Sequence, residues 1–379
     1  MTALPQPGLG LTVATFAVVI GLLVFVHEMG HYLVARWLGI KADAFSIGFG
    51  REIAGWTDRH GTRWKVGMLP LGGYVKFAGD ADAASRPDQA AVGATAEERA
   101  GMFQFRPVWQ RTLVILAGPI TNFLFAIAIF TGFIVVYGQS VTPPVVGRVL
   151  PGSPAAAAGL LPGDRIIRID GSRIGVFEDL LTTIQSNVGT PVRAEIERGT
   201  IQREVVIAPR IVDRTNEFGD HFRIGQIGIA PARQVIVSRP LLAAPYYATV
   251  EVGKMIGMIG SGLMQVITGQ RPANELGGPI KIARYEAQAA TLGLPTLIER
   301  IAFISINLGF INLLPVPMLD GGHLFLYAVE AVRRRPLAAR VQEWAFMSGF
   351  AALMSLMIFL TWNDLAGVGA WRRLSGLFG

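Results

Sequence analysis

The sequence contains no cysteine, which excludes both a disulfide framework and a thiolate metal site. Any bound metal ion must therefore be held by histidine and carboxylate side chains, and only five histidines are available. Charged residues are also scarce, at 16% of the chain, against about 25% in a typical soluble protein. Hydrophobic residues make up 51% of the 379 positions. This composition predicts a membrane protein with several spans and room for one small soluble domain.

Basic residues are missing from the beginning of the chain, where the first is Arg36. A cleaved secretory signal peptide needs a basic segment before its apolar core, so the first apolar run is predicted to be a permanent span. The net charge of +7 could indicate nucleic-acid binding, but no basic and aromatic stripe supports this, and no nucleic-acid partner is expected. Basic loops facing the cytoplasm explain the charge better.

Apolar runs alternate with charged or glycine-rich segments along the chain. The runs predict four transmembrane helices, at residues 8–38, 112–138, 297–332 and 342–363. Between them we expect a basic, β-rich loop in the cytoplasm or dipping into the membrane at 40–111, a soluble α+β domain at 141–212, and a linker with an interfacial amphipathic helix at 213–296. The predicted fold class is a multi-span α-helical membrane protein with an inserted soluble α+β domain.

Three ionisable residues lie close together inside the first apolar run, in the sequence His27-Glu28-Met29-Gly30-His31. Residues four apart share one face of a helix, so the two imidazoles can bind one Zn²⁺. Glu28 can act as the general base that activates water, as in the HExxH pattern of zinc proteases. Chance matches to this short pattern occur, but three such residues in a membrane span would be costly without a metal.

A catalytic zinc needs a third protein ligand, and Asp320 is the best candidate. His60 and His221 lie in polar segments and are interpreted as surface residues. Asp320 follows two prolines that interrupt an apolar run, and it could bind zinc, cap the following helix, or do both. Asn312, before the interruption, is as compatible with binding a substrate carbonyl as with an ordinary interhelical hydrogen bond.

The two parts of this site constrain the topology of the chain. His27 and Asp320 can lie at the same depth, on the cytoplasmic side, only if their spans run in the same direction. Residues 241–269 should then lie in the membrane interface and not cross it. Glu251 and Lys254 in the middle of this segment agree with that position.

These motifs closely resemble those of the site-2 protease family of intramembrane zinc metalloproteases, in particular its RseP-type members. The matching segments are His27–His31, Leu69–Lys76, Ala117–Pro119 with Asn122, and Asn312–His323. The resemblance implies that His27, His31 and Asp320 bind Zn²⁺, that Glu28 is catalytic and that Asn312 helps to hold substrate. It also implies that Gly72, Gly73 and Tyr74 belong to a membrane-dipping β element that pairs with an extended substrate. A simple hairpin turn is the alternative for this loop.

The soluble region resembles a PDZ domain in its segments Gly147–Val149, Ser153–Ala155 and Ala158–Ile167. Members of the family often carry two such domains in tandem, and a single one is recognisable here. The resemblance implies a bacterial inner-membrane protein with its active site toward the cytoplasm and its PDZ domain in the periplasm. It further implies cleavage of single-span membrane proteins, such as an anti-sigma factor or remnant signal peptides, with a peptide as a possible PDZ ligand and lipid as a partner.

Two other classes of protein are compatible with parts of the sequence. A catalytically silent, membrane-anchored PDZ adaptor would not need HExxH or Asp320. A metal transporter would need more polar residues distributed over several spans than the sequence contains.

Overall fold

The computed structural model describes residues 7–80, 93–186, 190–215, 221–269, 277–335 and 337–367. The chain divides into two compact units. The first, here called the membrane unit, comprises Met1–Phe130, Pro245–Ser261 and Leu276–Gly379. The second, here called the inserted unit, comprises Thr131–Ala244 and Gly262–Glu275.

The helices follow one another along the whole chain. In order they are α1 (Leu9–Trp37), α2 (Ala96–Gly101), α3 (Val108–Tyr137), α4 (Pro154–Ala157), α5 (Phe177–Ser186), α6 (Ala244–Ile267), α7 (Pro279–Leu292), α8 (Leu294–Asn312), α9 (Asp320–Arg333) and α10 (Ala339–Gly367). The strands are β1 (Ala42–Thr57), β2 (Arg63–Phe77), β3 (Gln139–Val141), β4 (Val146–Val149), β5 (Arg165–Ile169), β6 (Ser172–Arg173), β7 (Val192–Arg198), β8 (Ile201–Ile207), β9 (Arg210–Thr215), β10 (His221–Gln226), β11 (Ile229–Pro231) and β12 (Val235–Val237).

Five helices of the described residues, α1, α3, α6, α8 and α10, are long and apolar enough to cross a membrane. The predicted fold class, a multi-span helical protein with an inserted β-containing domain, is confirmed. The count is one higher than the four predicted spans because α6 also meets the length and composition limits, with a mean hydropathy of 1.2 against 2.7 for α1. The interfacial position of α6 stays a prediction.

Helix α1 packs closely on α3 because Gly30 has no side chain. A Cβ atom at Gly30 would lie 2.5 Å from the carbonyl oxygen of Ala117, closer than packed atoms approach. Pro119 lies inside α3. The buried face of α1 includes both His27 and His31.

The β-rich segment after α1 forms one sheet from two long, irregular strands. Residues 44–47 of β1 pair on one side with 63–66 of β2 and on the other with 73–76 of β2. Residues 73–77 therefore form an edge of this sheet among the described strands. The hydrophobic core beneath it includes Phe45, Val75 and Phe77 together with Tyr32 of α1.

The inserted unit contains a four-stranded sheet of order β6-β5-β7-β8, with α5 contributing to the same core. Two shorter pairings involve strands from the far end of the segment: β11 pairs with β4, and β12 pairs with β3. The unit therefore extends past residue 212, where the sequence predicted the domain to end. The closing strands have only three residues each, too few to give a clear period-two pattern.

The last segment of the membrane unit begins with a helix that was not predicted from the sequence. Helix α7 packs on α1 and α8, and its N-terminus is capped by Asp364 of α10. The carboxylate of Asp364 accepts hydrogen bonds from the amides of Gly278, Ile280 and Lys281 at 2.9–3.1 Å.

The predicted interruption near residues 313–319 separates α8 from α9, and Met318 there has a φ of 80°.

Candidate metal centre

His27, His31 and Asp320 converge on one point within the membrane unit. The Nε2 atoms of the two imidazoles are 3.3 Å apart. One carboxylate oxygen of Asp320 lies 3.1 Å from His27 Nε2, and the other lies 3.6 Å from His31 Nε2. Both histidines are buried, and the Asp320 side chain is 14% exposed.

These separations fit a tetrahedral zinc site. Ligand atoms about 2.1 Å from a zinc ion are about 3.4 Å apart in tetrahedral geometry. The 3.3 Å between the two imidazole nitrogens is close to that value, and one ligand atom from each of the three residues lies within 4.8 Å of the others. Two imidazoles and one carboxylate are a known donor set of catalytic zinc sites, which leave the fourth position open. The residues present therefore fit Zn²⁺.

Helix α3 orients both imidazole rings. The Nδ1 atom of His31 lies 2.8 Å from the carbonyl oxygen of Val114, and the Nδ1 atom of His27 lies 3.1 Å from the side-chain amide of Asn122. Gly118 lies between these two residues in sequence. A Cβ atom there would be 2.5 Å from Cε1 of His31 and 2.8 Å from Cε1 of His27, so the rings occupy the space that a side chain would need.

Asp320 reaches the histidines because α9 begins after a tight turn. Two glycines allow this turn to pack on the backbone before it: a Cβ at Gly322 would lie 2.7 Å from the Cα of Pro317. Leu319 occupies the N-cap position, and no side-chain capping hydrogen bond is present there. The predicted alternative role of Asp320, a helix cap, is not seen, because the carboxylate faces the imidazoles.

Another predicted site residue, Asn312, lies at the same point. The amide nitrogen of Asn312 is 3.4 Å from Nε2 of His27. Gly73 lies beside the general-base candidate, since a Cβ at Gly73 would be 3.4 Å from Cγ of Glu28. The sheet edge at residues 73–77 is therefore adjacent to Glu28.

Gly72 and Tyr74 have contacts within the sheet. Gly72 has a φ of 90°, and a Cβ there would meet the Phe49 ring at 2.6 Å. The ring of Tyr74 stacks on Phe49 with centroids 5.9 Å apart, and Lys65 Nζ lies 5.0 Å from the Tyr74 centroid. Their contacts shape the hairpin that carries Gly73.

The sequence did not assign a role to three residues that support the ligands, namely Val114, Gly118 and Asn122. Gly118 and Asn122 belong to a motif noted for its resemblance, but no pattern within α3 indicates contact with imidazoles about 90 residues earlier. The sequence offered one indication for Asn122, which is a polar side chain inside an apolar span. Polar residues in such a place usually have a function.

The inserted unit contains a separate cleft of about 190 Å³ between α5 and the end of β10. Leu180, Leu181 and Ile184 of α5 form one wall. Residues 224–229 form the other. The cleft is thus largely apolar and bordered by a glycine-containing loop.

Comparison with known proteins identifies the relatives of this chain. The model of peptidase family M50 matches residues 15–356. A protein of Agrobacterium fabrum named as a zinc metalloprotease is 43% identical over 94% of this chain and 96% of its own length. The metalloprotease MmpA of Caulobacter vibrioides is 40% identical over 95% of this chain and 96% of its own length.

One match among solved structures covers only part of the chain. The PDZ domain of an SdrC-like protein from Listeria monocytogenes aligns with 26% of this chain and 92% of its own length, at 25% identity and a TM-score of 0.19.

The family predicted from the motifs is confirmed by a family match over most of the chain and by relatives that are similar over nearly their full length. The chain therefore belongs to peptidase family M50 and is a zinc metalloprotease.

Proposed function

We propose that this protease hydrolyses peptide bonds of single-span membrane proteins within the membrane, with His27, His31 and Asp320 as its zinc ligands. The observation that carries the proposal is the convergence of these three side chains from helices in a unit built around apolar spans. An acidic and two imidazole side chains at such a place are costly unless they serve a function.

Zinc bound there supplies a Lewis acid that polarises the scissile carbonyl and acidifies the attacking water. Glu28 is adjacent to the first ligand and is the proposed general base: its carboxylate takes the proton of the water and then donates it to the leaving amine. Asn312, with its amide nitrogen 3.4 Å from His27 Nε2, is placed to donate a hydrogen bond to the substrate carbonyl oxygen as negative charge develops there.

The substrate must be extended when it is cut, because the amides of a transmembrane helix are hydrogen-bonded and inaccessible. The edge formed by residues 73–77 supports this proposal, since Gly73 lies next to Glu28 and a sheet edge offers main-chain groups to an added strand. Gly72 and Tyr74 contribute by shaping the hairpin. Residues in the substrate that break helices should favour cleavage.

The natural substrate class is proposed from the resemblance of the sequence to site-2 proteases. It is a membrane-anchored anti-sigma factor that a first cut has shortened, as in regulated intramembrane proteolysis, or a remnant signal peptide. The basic segments at 40–111 and 333–340 favour a place in a bacterial inner membrane with these segments in the cytoplasm. The PDZ domain then lies in the periplasm.

The apolar cleft of the inserted unit is proposed to bind an extended peptide. Its wall of Leu180, Leu181 and Ile184 suits an apolar side chain, and residues 224–229 line the opposite side. A peptide from the substrate or from another membrane protein would fit this chemistry.

Coexpression with single-span candidate substrates tests the proposed reaction. Wild-type protein should release a soluble fragment, whereas Glu28→Gln should lose cleavage and still bind zinc. Glu299→Gln is a matched control, because Glu299 is an exposed carboxylate at the start of α8, and cleavage should be unchanged. An adaptor or a transporter would keep its activity in Glu28→Gln, and that result would refute the protease mechanism.

A further inference from the structure

The proposed reaction does not use Asn122, although this residue contacts a zinc ligand. Asn122 is fully buried, and its Nδ2 atom lies 3.1 Å from Nδ1 of His27. Its Oδ1 atom has no hydrogen-bond partner among the described residues. Ser305 of α8 donates a hydrogen bond of 2.8 Å to the Asn122 backbone carbonyl, which fixes this turn of α3. An unpartnered amide oxygen in such an interior is unfavourable.

The protonation of the His27 ring indicates which atom donates a hydrogen bond to Oδ1 of Asn122. Nε2 of His27 faces the cluster, 3.1 Å from Asp320 and 3.3 Å from His31. A nitrogen that binds a metal carries no proton, so the proton of the neutral ring is on Nδ1. Nδ1–H is then a donor, and it faces another donor, the Asn122 amide nitrogen. Turning the carboxamide by half a turn exchanges its oxygen and nitrogen without moving any other atom.

We propose that Asn122 is a positioning residue that accepts the Nδ1 proton of His27 through its Oδ1 atom. This hydrogen bond fixes the tautomer and the direction of the ring, and leaves Nε2 free for zinc. The inference rests on the zinc site proposed above. His31 has an equivalent partner in the Val114 carbonyl, at 2.8 Å. Helix α3 thus holds both ligand rings from two turns that lie on either side of Gly118.

Zinc affinity of the full-length protein in detergent tests this role without any measurement of proteolysis. Competition with a fluorescent chelator is measured in a Glu28→Gln background, which prevents self-cleavage. Asn122→Leu has nearly the same size but no acceptor, and it should weaken zinc binding by about 10–100-fold, the usual effect of removing such a partner. Asn122→Asp keeps an acceptor and should bind zinc at least as tightly as the parent.

Thr121→Ala is the matched control on the same turn of α3. Thr121 donates its hydroxyl proton to the Ala117 carbonyl at 2.7 Å, and its loss should leave zinc affinity unchanged. Unchanged affinity in Asn122→Leu, or equal losses in Asn122→Leu and Asn122→Asp, would overturn the proposal. His27→Ala and Asp320→Ala serve as references. If these two also bind zinc normally, the metal site itself is wrong, which is a different failure.

Nitrogen NMR of the zinc-loaded Glu28→Gln protein gives a second readout. This measurement does not require that an Asn122 variant folds. With the histidines labelled and the signals of His27 assigned by their loss in His27→Ala, Nδ1 should carry a proton and Nε2 should show the shift of a metal-bound nitrogen. A proton on Nε2, or zinc on Nδ1, would overturn the proposal.

Discussion

At the scale of single residues, the metal centre depends on a missing side chain as much as on its ligands. Gly118 leaves the volume into which both imidazole rings project. Any side chain at this position would displace at least one ring, since its Cβ would fall 2.5 Å from His31 Cε1. The geometry of the proposed ligands is therefore determined partly by α3, which supplies none of these three side chains.

Gly118→Ala is therefore expected to disrupt the centre. The added methyl group should reduce zinc affinity at least about tenfold, because misdirected ligands bind metal poorly, and proteolysis should fall with it. Zinc content after dialysis measures the effect. Gly132→Ala is the control on the same helix, as a Cβ there meets nothing within 4 Å. Equal zinc content in the two variants would contradict this explanation.

The three proposed ligands were already candidates in the sequence, whereas the residues of α3 that contact them were not. His27, Glu28 and His31 are a local pattern on one helical face, and Asp320 is an acid in an interrupted apolar run. Gly118 and Asn122 act through contacts between α1 and α3, which are about 90 residues apart along the chain. Such contacts depend on how two apolar helices rotate against each other, and hydrophobic periodicity does not determine that rotation.

At the scale of elements, α7 contacts both α10 and α1. Its N-terminal amides are bound by Asp364 of α10, and its face containing Glu286 and Ala287 is buried against its neighbours. From the sequence, this segment was predicted to belong to a linker. Helix α7 is short, and its mixed composition does not resemble that of a membrane span. By contrast, α1 and α3 were predictable from their long uncharged runs.

Asp364→Ala should destabilise the membrane unit, because three backbone donors lose their partner. Loss of a helix cap costs about 0.5–2 kcal/mol, and the buried position of Asp364 places this variant near the upper end. Thermal unfolding in detergent measures the change. Ser355→Ala, which removes only an exposed hydroxyl within α10, should leave the midpoint unaltered. Equal midpoints for both variants would contradict the proposed role of Asp364 as the cap of α7.

The inserted unit has a buried carboxylate whose charge stabilises the fold. Burial tends to raise the pKa of Asp164, but hydrogen bonds from Arg198 and from the Leu161 amide outweigh it and lower the pKa below its usual value. A carboxyl group with a lowered folded pKa stabilises the protein above the unfolded pKa of about 3.9. That stabilisation is lost as the pH falls through the folded value.

A fragment spanning residues 139–237 should therefore unfold at a lower midpoint temperature as the pH falls below about 4. Asp164→Asn should lower the midpoint at neutral pH and flatten its pH dependence. Glu195→Gln changes a carboxylate that is half exposed and 3.8 Å from Arg168, and surface pairs of this kind contribute little. A pH profile of Asp164→Asn as steep as that of the wild type would refute the assignment.

At the scale of the whole molecule, the number of crossings determines whether the two halves of the metal site can meet. His27 and Asp320 do meet, and this requires their spans to enter the membrane in the same direction. With α6 as a fifth crossing, the span leading to Asp320 would run the opposite way. We therefore expect α6 to lie along the interface even though its length would allow a crossing.

Single-cysteine labelling can test this arrangement without background, because the chain contains no cysteine. Leu242→Cys and Thr268→Cys mark the two ends of α6, and both positions are exposed. A maleimide that cannot cross the membrane should label both cysteines from the same side. Labelling from opposite sides would show that α6 crosses, and the predicted topology would then be wrong.

The metal site combines an opening helix with an aspartate that the ribosome adds nearly 300 residues later. A nascent chain therefore lacks the proposed third zinc ligand until Asp320 has been added, even after α1 and α3 have associated. The enzyme consequently acquires hydrolytic capacity only after residue 320 has been added. Partly made copies stalled in the insertion machinery should be harmless to the membrane proteins around them.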